Sequence, residues 1–325
     1  MIKSRWAGAV VWVLVAPFAV WTALWFGGWT PVWQWVALVA FTPYVAAASL
    51  VPLLAALAMR RRLAAGVALL VCVALALAVV PRQVPDGGDA AEADAGRRLR
   101  VLAANLAVGA ADTVMLMDLV RDLDPDVLAI QELTPEARER LEERGLRKTL
   151  PHRVNRAEPG VGGSGIYARH PLRELPIIKE GNFGQARAVL THPGGLQVEI
   201  VSVHPCAPRY DYKVPCWDSG LAELPRAGGM PRVLAGDFNA TLDHARLREL
   251  LASGYRDAAD VTGQGWTPTW PRQGWEPVPG VTIDHVFADE RIAIRDFRVL
   301  DLTGTDHRPV YADLVLPAAG GSQRE

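Results

Sequence analysis

The sequence predicts two parts: N-terminal transmembrane helices and, after them, an α/β domain. Three observations support this division. Residues 1–80 hold three long apolar stretches and no acidic residue, residues 81–97 are rich in Pro, Gly, Ala and Asp without an apolar period, and residues 98–318 alternate strand-like with helix-like segments. We therefore divide the chain into a three-helix transmembrane anchor (1–80), a flexible linker (81–97), a folded domain (98–318) and a disordered tail (319–325).

The three apolar stretches are each near the roughly 20 residues that are needed to cross the hydrocarbon core of a bilayer. They cover residues 7–26, 33–59 and 63–80. Buried core helices are the alternative interpretation, but such helices rarely run this far without a charge. A cleavable signal peptide does not fit, because it has a single, shorter apolar core.

The cations next to these stretches predict the orientation of the anchor. Lys3 and Arg5 precede the first stretch, and three consecutive arginines, residues 60–62, separate the second from the third. Loops rich in Lys and Arg stay in the cytoplasm, so both clusters belong inside and the chain beyond residue 80 belongs outside. We expect a multi-pass protein of the cytoplasmic membrane with an extracytoplasmic domain. Three tryptophans at the outer end of the first hairpin are expected to form an interfacial belt: Trp25, Trp29 and Trp33.

The spacing of two cysteines is relevant to the predicted outside location of the domain. Cys206 and Cys216 flank a short Pro-containing segment and are candidates for a disulfide, which would contribute roughly 3 kcal/mol in the chain-entropy model. Disulfides persist in oxidising compartments, so the pair would agree with an outside location. Two unpaired thiols remain the alternative. Cys72 lies within the third apolar stretch and is expected to be inert.

The folded domain opens with a strand, a helix and a second strand, at residues 99–104, 113–123 and 127–130. Thr134 is placed to cap the next helix, with Pro135 in its first turn and Gly145 at its end. Further strands are expected at residues 165–168, 186–190, 198–203, 232–235, 282–287 and 310–315. The preceding linker would hold this domain near the membrane while leaving it free to reorient.

Charge argues against nucleic acid as the main partner. Of the 34 Lys and Arg residues, five lie within residues 1–80, so the remaining 29 stand against all 35 acidic residues. Proteins that bind long polyanions usually present a basic surface, because phosphate neutralisation supplies most of their affinity. The chain beyond residue 80 has more acidic than basic residues and so lacks this basic character.

Polar residues follow the predicted strands at the positions where the strands end. Strand ends line the binding crevice in open α/β sheets, so these side chains are candidates for one site. Four carboxylates in one cleft would repel each other and would need a cation or a protonated histidine to hold them together. The segments are LAAN with Asn105, VLAIQE with Glu132, EIVSVH with His204, VLAGDFN with Asp237 and Asn239, TIDHVF with Asp284, and GTDHRPV with Asp306 and His307.

Together and in this order, these segments resemble the endonuclease/exonuclease/phosphatase superfamily, across nearly all of residues 98–318. Any single piece is weak, since GDFN or DH occurs often by chance. The resemblance implies a four-layered α/β sandwich of the deoxyribonuclease I-like type and a Mg²⁺-dependent hydrolase of phosphate ester or phosphoanhydride bonds. Mn²⁺ would also suit ligands that are oxygen-rich and free of thiolate.

The resemblance also implies a role for each matching residue. Glu132 would be the central metal ligand, helped by Asn105 and Asp306. His307 would pair with Asp284, which orients the ring and favours its protonated state. The remaining roles are positioning of the attacking water and the phosphoryl oxygens by Asp237 and Asn239, and a hydrogen bond from His204 to the phosphate.

Two further features are left with open alternatives. Arg187 occupies the place where relatives often carry a phosphate-binding arginine, and it could equally be a solvated strand residue. The segment GWTPTWPRQGW, with Trp266, Trp270 and Trp275, is either a substrate-facing loop near the membrane or a packed loop.

Location narrows the substrate class that the family leaves open. We expect the partners to be the bilayer and a lipid-linked phosphate such as undecaprenyl pyrophosphate, and no protein partner follows from the sequence. An anchor followed by this domain is similar to the VanJ-type membrane proteins of teicoplanin resistance, which implies a role in the cell envelope. The alternatives are an extracytoplasmic nuclease that cleaves DNA or RNA, and a non-catalytic binding module.

Overall fold

The computed structural model describes residues 2–30, 32–86, 97–193, 195–272 and 277–317, without the side chains of residues 2–5 and 7. Three of its helical stretches are long and apolar enough to cross a membrane: Gly8–Gly27, Trp33–Ala58 and Arg62–Gln83. They match the three predicted stretches to within a few residues. Small and β-branched side chains form the contacts between them, which allows close helix packing: Val11, Val15, Ala56, Ala64 and Ala68.

The first and third stretches are nearly continuous, whereas the second is divided. The first is α1 (Ile2–Gly27); the third is α5 (Arg62–Val79) and a 3₁₀ turn at Val80–Gln83. The second consists of α2 (Trp33–Leu38), a 3₁₀ turn at Val39–Phe41, α3 (Thr42–Ala48) and α4 (Leu50–Ala58). Pro43 lies in the first turn of α3, where its missing N–H leaves no helical bond unmade.

The α/β domain contains two six-stranded sheets. The first has the order β11-β12-β1-β2-β4-β3 and the second β5-β6-β7-β8-β10-β9. The strands are β1 (Arg98–Asn105), β2 (Val127–Gln131), β3 (His152–Arg156), β4 (Ser164–Ala168), β5 (Leu172–Glu180), β6 (Phe183–Thr191), β7 (Gln197–Val203), β8 (Arg232–Asp237), β9 (Tyr255–Asp257), β10 (Asp284–Asp289), β11 (Ala293–Val299) and β12 (Val310–Val315).

Helices connect and cover the strands. Asp112 caps the N-terminus of α6 by accepting from the Val114 and Met115 amides, and Thr134 caps α7 by accepting from the Ala137 amide. Thr134 and the following Pro135 are the predicted start signals, and they act as expected. The helices are α6 (Thr113–Leu123), α7 (Pro135–Glu143), α8 (Leu146–Thr149), α9 (Val214–Ala222), α10 (Ala245–Leu251) and α11 (Ala258–Val261).

The two sheets pack face to face, and helices cover both outer faces. Small and branched side chains fill the space between the sheets, including Val101 and Ala129 from the first sheet and Ile200 and Ala235 from the second. Residues at alternate positions point outward, where α6 and α7 cover the first sheet and α9 and α10 cover the second. This is the predicted four-layered α/β sandwich.

The strands that sequence analysis missed are the four edge strands, β3, β5, β9 and β11. Three of them are partly exposed along most of their length, and β9 has only three residues. Edge strands bury less apolar surface than central ones and so lack a continuous apolar run. The central strands, buried on both faces, were all predicted.

The domain packs directly against the anchor, so the expected freedom to reorient is corrected. Val80–Gln83 is a 3₁₀ turn, and Arg82 forms a buried two-bond ion pair with Asp243, with both distances 3.0 Å. Trp25 Nε1 donates to the same Asp243 at 3.0 Å. The predicted linker therefore begins with fixed residues, while its residues 87–96 and the predicted tail, residues 319–325, lie outside the described residues.

Other contacts extend this docking surface, which we define as the contacts of the anchor with residues 241–248, 265–266 and 280–282. The Arg248 guanidinium lies 4.1 Å from the centre of the Trp25 ring and donates to the Trp25 carbonyl at 2.7 Å. His244 Nε2 lies 2.7 Å from the Val36 carbonyl oxygen. Trp25 is therefore buried by the domain, which corrects its assignment to an interfacial belt, whereas Trp29 and Trp33 remain exposed.

Cys206 and Cys216 form a disulfide, with their Cα atoms 5.7 Å apart. It joins the loop after β7 to α9 and closes the predicted small ring. Cys72 is half-buried between helices, with its sulfur 3.2 Å from the Ser49 hydroxyl oxygen. The pairing decides between the two alternatives for Cys206 and Cys216 in favour of the bonded one.

Candidate active site

The strand topology brings the polar strand ends to one edge of the sandwich. In each sheet two central strands run parallel, β1 with β2 and β7 with β8, so Asn105, Glu132, His204 and Asp237 follow at the same edge. β12 runs antiparallel to β1, and β10 runs antiparallel to β8, so the N-terminal ends of β10 and β12 lie at this same edge. Asp284, the first residue of β10, pairs directly with Asp237.

Glu132 is held by the loop after β1. Its Oε2 accepts from the Val108 amide at 2.6 Å, and Asn105 Nδ2 lies 3.4 Å from its Oε1. Glu132 and Val108 both have positive φ, 54° and 56°, which is uncommon for residues other than glycine. Such backbone conformations persist where surrounding contacts determine them, and they often mark functional sites.

Asp237 connects the two sheets within the site. Its Oδ2 accepts from Asn105 Nδ2 at 3.0 Å, and its Oδ1 accepts from the Asn239 amide at 2.7 Å. His204 Nε2 lies 3.6 Å both from this carboxylate and from Glu132 Oε1. The Asn239 side chain donates to the Pro205 carbonyl at 3.1 Å, and its φ of 48° is also positive.

His307 stands between three carboxylates. Its Nδ1 lies 3.0 Å and 3.1 Å from the two oxygens of Asp284. Its Nε2 points toward Asp237 Oδ2, at 3.7 Å, and Asp306 Oδ1, at 4.0 Å. Eight predicted residues therefore meet in one cluster, which we call the acidic site: Asn105, Glu132, His204, Asp237, Asn239, Asp284, Asp306 and His307.

The two histidines of the acidic site have opposite protonation tendencies. Burial alone would lower the pKa of His307, but the negative charges of Asp284 and Asp237 outweigh it and raise that pKa to about 10. Burial lowers the pKa of His204 to about 4, because the nearby Asp237 charge compensates only in part. The site thus holds one charged and one neutral imidazole at neutral pH.

Burial also raises the pKa values of the two central carboxyls. For Glu132, the Val108 amide and the charge of His307 oppose this effect in part, while Asp306 adds to it. For Asp237, the repulsion from Asp284 adds to burial, and the positive charge of His307 opposes both. A divalent cation would relieve this crowding of negative charge.

The donor set fits a divalent metal that prefers oxygen. Glu132, Asn105 and Asp306 offer two carboxylates and an amide, with no thiolate among the acidic-site residues. A second arrangement is also present: ligand atoms of Asp237, Asp284 and His307 lie within 4.8 Å of one another. His307 already bonds both oxygens of Asp284, and a protonated ring cannot ligate a metal. The carboxylates of Glu132 and Asp306 are therefore the better match. Asn105 supports them from beside the site, because its Nδ2 faces Glu132 and Asp237 while its Oδ1 accepts from the Ala107 amide at 2.9 Å.

Arg187 does not join the acidic site. It lies on β6 opposite Val201, and its Nε and Nη2 donate to Glu199 Oε1 at 2.9 Å and 2.6 Å. Glu199 is 4% exposed and also accepts from Arg232. His204 is five residues beyond Glu199 along β7, roughly 16 Å at about 3.3 Å per residue. The expected phosphate-binding role is therefore corrected to a structural ion pair.

Sequence reasoning missed the groups that support the acidic site. The hydroxyl of Thr269 accepts from the Ile283 and Asp284 amides, both at 3.0 Å, and Trp270 Nε1 donates to Asp306 Oδ2 at 2.9 Å. Only the tryptophan-rich composition of this loop indicated a special role. The loop lies between the anchor and the acidic site, since Trp266 Nε1 donates to the Val79 carbonyl at 2.9 Å while its side chain stays 38% exposed. Trp275 lies outside the described residues.

Solved structures share this architecture at low sequence identity. An endonuclease/exonuclease/phosphatase from Beutenbergia cavernae is 20% identical, with a TM-score of 0.56 over 69% of this chain and 72% of that one. D. rerio TDP2, complexed with a single-strand DNA product, is 18% identical, with a TM-score of 0.52 over 68% and 99%. The Neisseria 3′ phosphatase NExo, bound to a product DNA hairpin, is 20% identical, with a TM-score of 0.50 over 66% and 98%. These likenesses show the fold.

The sequence itself identifies the family. No curated protein sequence matches the chain significantly. Residues 102–307 match the model of the Endonuclease/Exonuclease/phosphatase family, a stretch that begins in β1 and ends at His307. It contains all eight residues of the acidic site, and the two-sheet sandwich is the fold of the similar solved structures. The chain therefore belongs to the endonuclease/exonuclease/phosphatase family of hydrolases.

Proposed function

We propose that the protein is a membrane-anchored, Mg²⁺-dependent phosphoesterase that hydrolyses a lipid-linked phosphate, such as undecaprenyl pyrophosphate, at the outer face of the cytoplasmic membrane. One observation carries this proposal: the loops that carry the acidic site also carry the docking surface. The chain continues from Asp237 and Asn239 to Asp243, which bonds Arg82 and Trp25. Gly280, which accepts from the Tyr44 hydroxyl at 2.6 Å, precedes Asp284 by four residues.

The acidic site has the groups that phosphoryl transfer to water requires. A bound divalent cation would be held by Glu132 and Asp306, with Asn105 orienting Glu132 through its Nδ2, and it would neutralise charge on the phosphoryl oxygens. Asp237 orients the attacking water and accepts its proton as the new P–O bond forms. Protonated His307, kept in place by Asp284, and neutral His204 donate hydrogen bonds to phosphoryl oxygens. The bond from phosphorus to the leaving oxygen breaks in the same displacement, without a covalent enzyme intermediate.

Hydrolysis and metal dependence are tested together with the full chain in detergent. Phosphate release from undecaprenyl pyrophosphate should stop with EDTA and return with added Mg²⁺, while Glu132→Ala should remain inactive under both conditions. Glu136→Ala, on the first turn of α7, is the matched control and should keep full activity. Release that persists in EDTA would contradict the metal dependence.

A nuclease acting outside the membrane is the second candidate function. Two of the similar solved structures contain product DNA, which favours it. The excess of acidic residues outside the anchor argues against it, because polyanion binding relies on basic surface. Nicking of plasmid DNA without release of lipid phosphate would decide for the nuclease. A binding module without catalysis would require that Glu132→Ala leave the biological effect intact.

A role in the cell envelope follows from the lipid substrate. The similarity in architecture to VanJ-type proteins extends the proposal to resistance against glycopeptide antibiotics. Expression in a susceptible host should raise the inhibitory concentration of teicoplanin several-fold, and the Glu132→Ala variant should not. Equal resistance from both forms would separate any such role from catalysis.

A further inference from the structure

An apolar cavity of about 240 Å³ lies between the second membrane-spanning stretch and the α/β domain. One wall belongs to the helices of the anchor, with Ala40, Pro43 and Ala47. The facing wall belongs to the domain, with Leu242 and Val281. The volume exceeds the about 150 Å³ of an apolar cavity that can bind benzene, so several carbons of a chain fit inside.

The polar side chains on the cavity wall are already paired within the protein. The Tyr44 hydroxyl donates to Gly280, Thr282 donates to Thr267 at 2.9 Å, and Arg82 is bonded to Asp243. His285 Nε2 lies 3.1 Å from the Ala240 carbonyl oxygen. A polar headgroup gains little from such a wall, since its own hydrogen bonds with water would be lost without replacement. A hydrocarbon chain forms no hydrogen bonds with water, so it loses none when it enters the cavity.

The second cavity at the docking surface has a different character. It has about 220 Å³, and its lining mixes apolar side chains such as Trp35 and Val39 with the charged Asp218, Arg246 and Glu249. Arg246 pairs with both of these acids, so one side of this cavity is charged and partly exposed. The apolar cavity, whose polar side chains are already paired, is therefore the better match to a hydrocarbon chain.

The apolar cavity is bounded by a candidate membrane span on one side and, on the other, by residues close in sequence to the acidic site. Its outer wall is part of a stretch that is long and apolar enough to span the bilayer, and Ala47 on that wall is exposed. On the domain side, Thr282 lies two residues before Asp284, about 7 Å along an extended chain. His285 faces the cavity from the other side of β10, so a chain would pass over the end of this strand to bring its phosphate to the site.

We infer that this cavity binds the hydrocarbon chain of the lipid phosphate whose headgroup enters the acidic site. The inference rests on the proposed function and deepens it, because it explains how a lipid substrate is selected over a soluble phosphate ester. The chain leaves the bilayer along α3, lies between Ala47 and Val281, and passes the end of β10. The anchor then forms half of the substrate site.

Cavity-filling substitution tests the inference by kinetics. Ala47→Phe should raise KM for undecaprenyl pyrophosphate about tenfold or more, and it should leave the hydrolysis of bis(p-nitrophenyl) phosphate, which has no chain, unchanged. Ala48→Phe, one position along the same helix and outside the cavity, is the matched control and should alter neither. Equal effects of Ala47→Phe on both substrates, or no effect on either, would overturn the inference while leaving the proposed function standing.

Photo-crosslinking gives a readout that is independent of hydrolysis. Undecaprenyl phosphate with a diazirine near the head of its chain should label peptides that contain residues 40–47 or 280–282, and Ala47→Phe should remove most of this label. An excess of unlabelled undecaprenyl pyrophosphate should reduce the crosslinking, whereas the same molar excess of phosphatidylglycerol should not. Label at other positions, or equal competition by both lipids, would refute the cavity as a substrate site. Correct labelling without any phosphate release would instead count against the proposed function.

Discussion

At the scale of single residues, the acidic site is set by pairs of side chains with opposite charge. His307 has a pKa raised to about 10 by Asp284 and Asp237, against the effect of burial. His204, equally buried, stays neutral because burial dominates there. In the proposed reaction, one imidazole would therefore carry positive charge toward the phosphate while the other would offer a neutral N–H.

Removal of either partner of the His307–Asp284 pair should disable the same function. His307→Asn and Asp284→Asn should each lower kcat by about 10²–10⁴, since each removes the charged and oriented imidazole. The double variant should be no slower than the worse single variant, because the two residues act as a unit. The measurement is kcat with a soluble phosphodiester, and additive losses would contradict a joint role.

Trp270 is expected to position Asp306 for the metal. Trp270→Phe removes the 2.9 Å hydrogen bond to Asp306 Oδ2 but keeps most of the ring packing. Loss of a group that orients a metal ligand typically weakens metal affinity 10- to 100-fold. The Mg²⁺ concentration for half-maximal activity should rise by that factor. Trp266→Phe, which loses its hydrogen bond to Val79 instead, should leave this concentration unchanged.

At the scale of elements, the loops after β8 and before β10 connect the acidic site with the anchor. A buried ion pair joins Arg82 to Asp243 between them, with side chains 10% and 1% exposed. Trp25 adds a third hydrogen bond to the same carboxylate. Since these loops continue directly from Asp237 and toward Asp284, docking of the anchor also restrains the site.

Asp243→Ala should therefore destabilise the protein more than a surface pair does. It leaves the Arg82 guanidinium buried without its partner, which costs about 3–5 kcal/mol. Asp218→Ala removes an ion pair with Arg246 whose side chains are 41% and 38% exposed, and it should cost less than about 1 kcal/mol. The loss of stability in the Asp243→Ala and Asp218→Ala variants is compared by thermal unfolding in detergent. Similar losses from both variants would show that docking contributes little.

At the scale of the whole molecule, we predict that the N-terminus lies in the cytoplasm and the α/β domain lies outside the membrane. In a Cys72→Ala background, a cysteine at position 322 should react with a membrane-impermeant maleimide in intact cells, whereas a cysteine at position 4 should react only after permeabilisation. The reason is the distribution of cations, which places both clusters of the anchor inside. The Cys206–Cys216 disulfide fits an oxidising exterior. The reverse labelling pattern would refute this topology.

Local patterns in the sequence determined much of this protein. Apolar length predicts the three long apolar helices, capping residues such as Thr134 predict helix starts, and apolar runs predict the central strands, because each depends on near neighbours along the chain. The polar residues at strand ends, together with the family resemblance that they carry, predict the acidic site. The edge strands lack such a signal, because β3, β5 and β11 are partly exposed and β9 has only three residues.

Only the tertiary structure decided the contacts between distant segments. Arg187 pairs with Glu199 across β6 and β7, Trp270 reaches Asp306, and Trp25 is buried against Asp243 instead of facing the bilayer interface. Each partner is chosen by the packing of elements that lie far apart in the chain, and no local pattern encodes that choice. The apolar cavity has the same origin, since its two walls come from opposite parts of the sequence and meet only because the anchor docks on the domain.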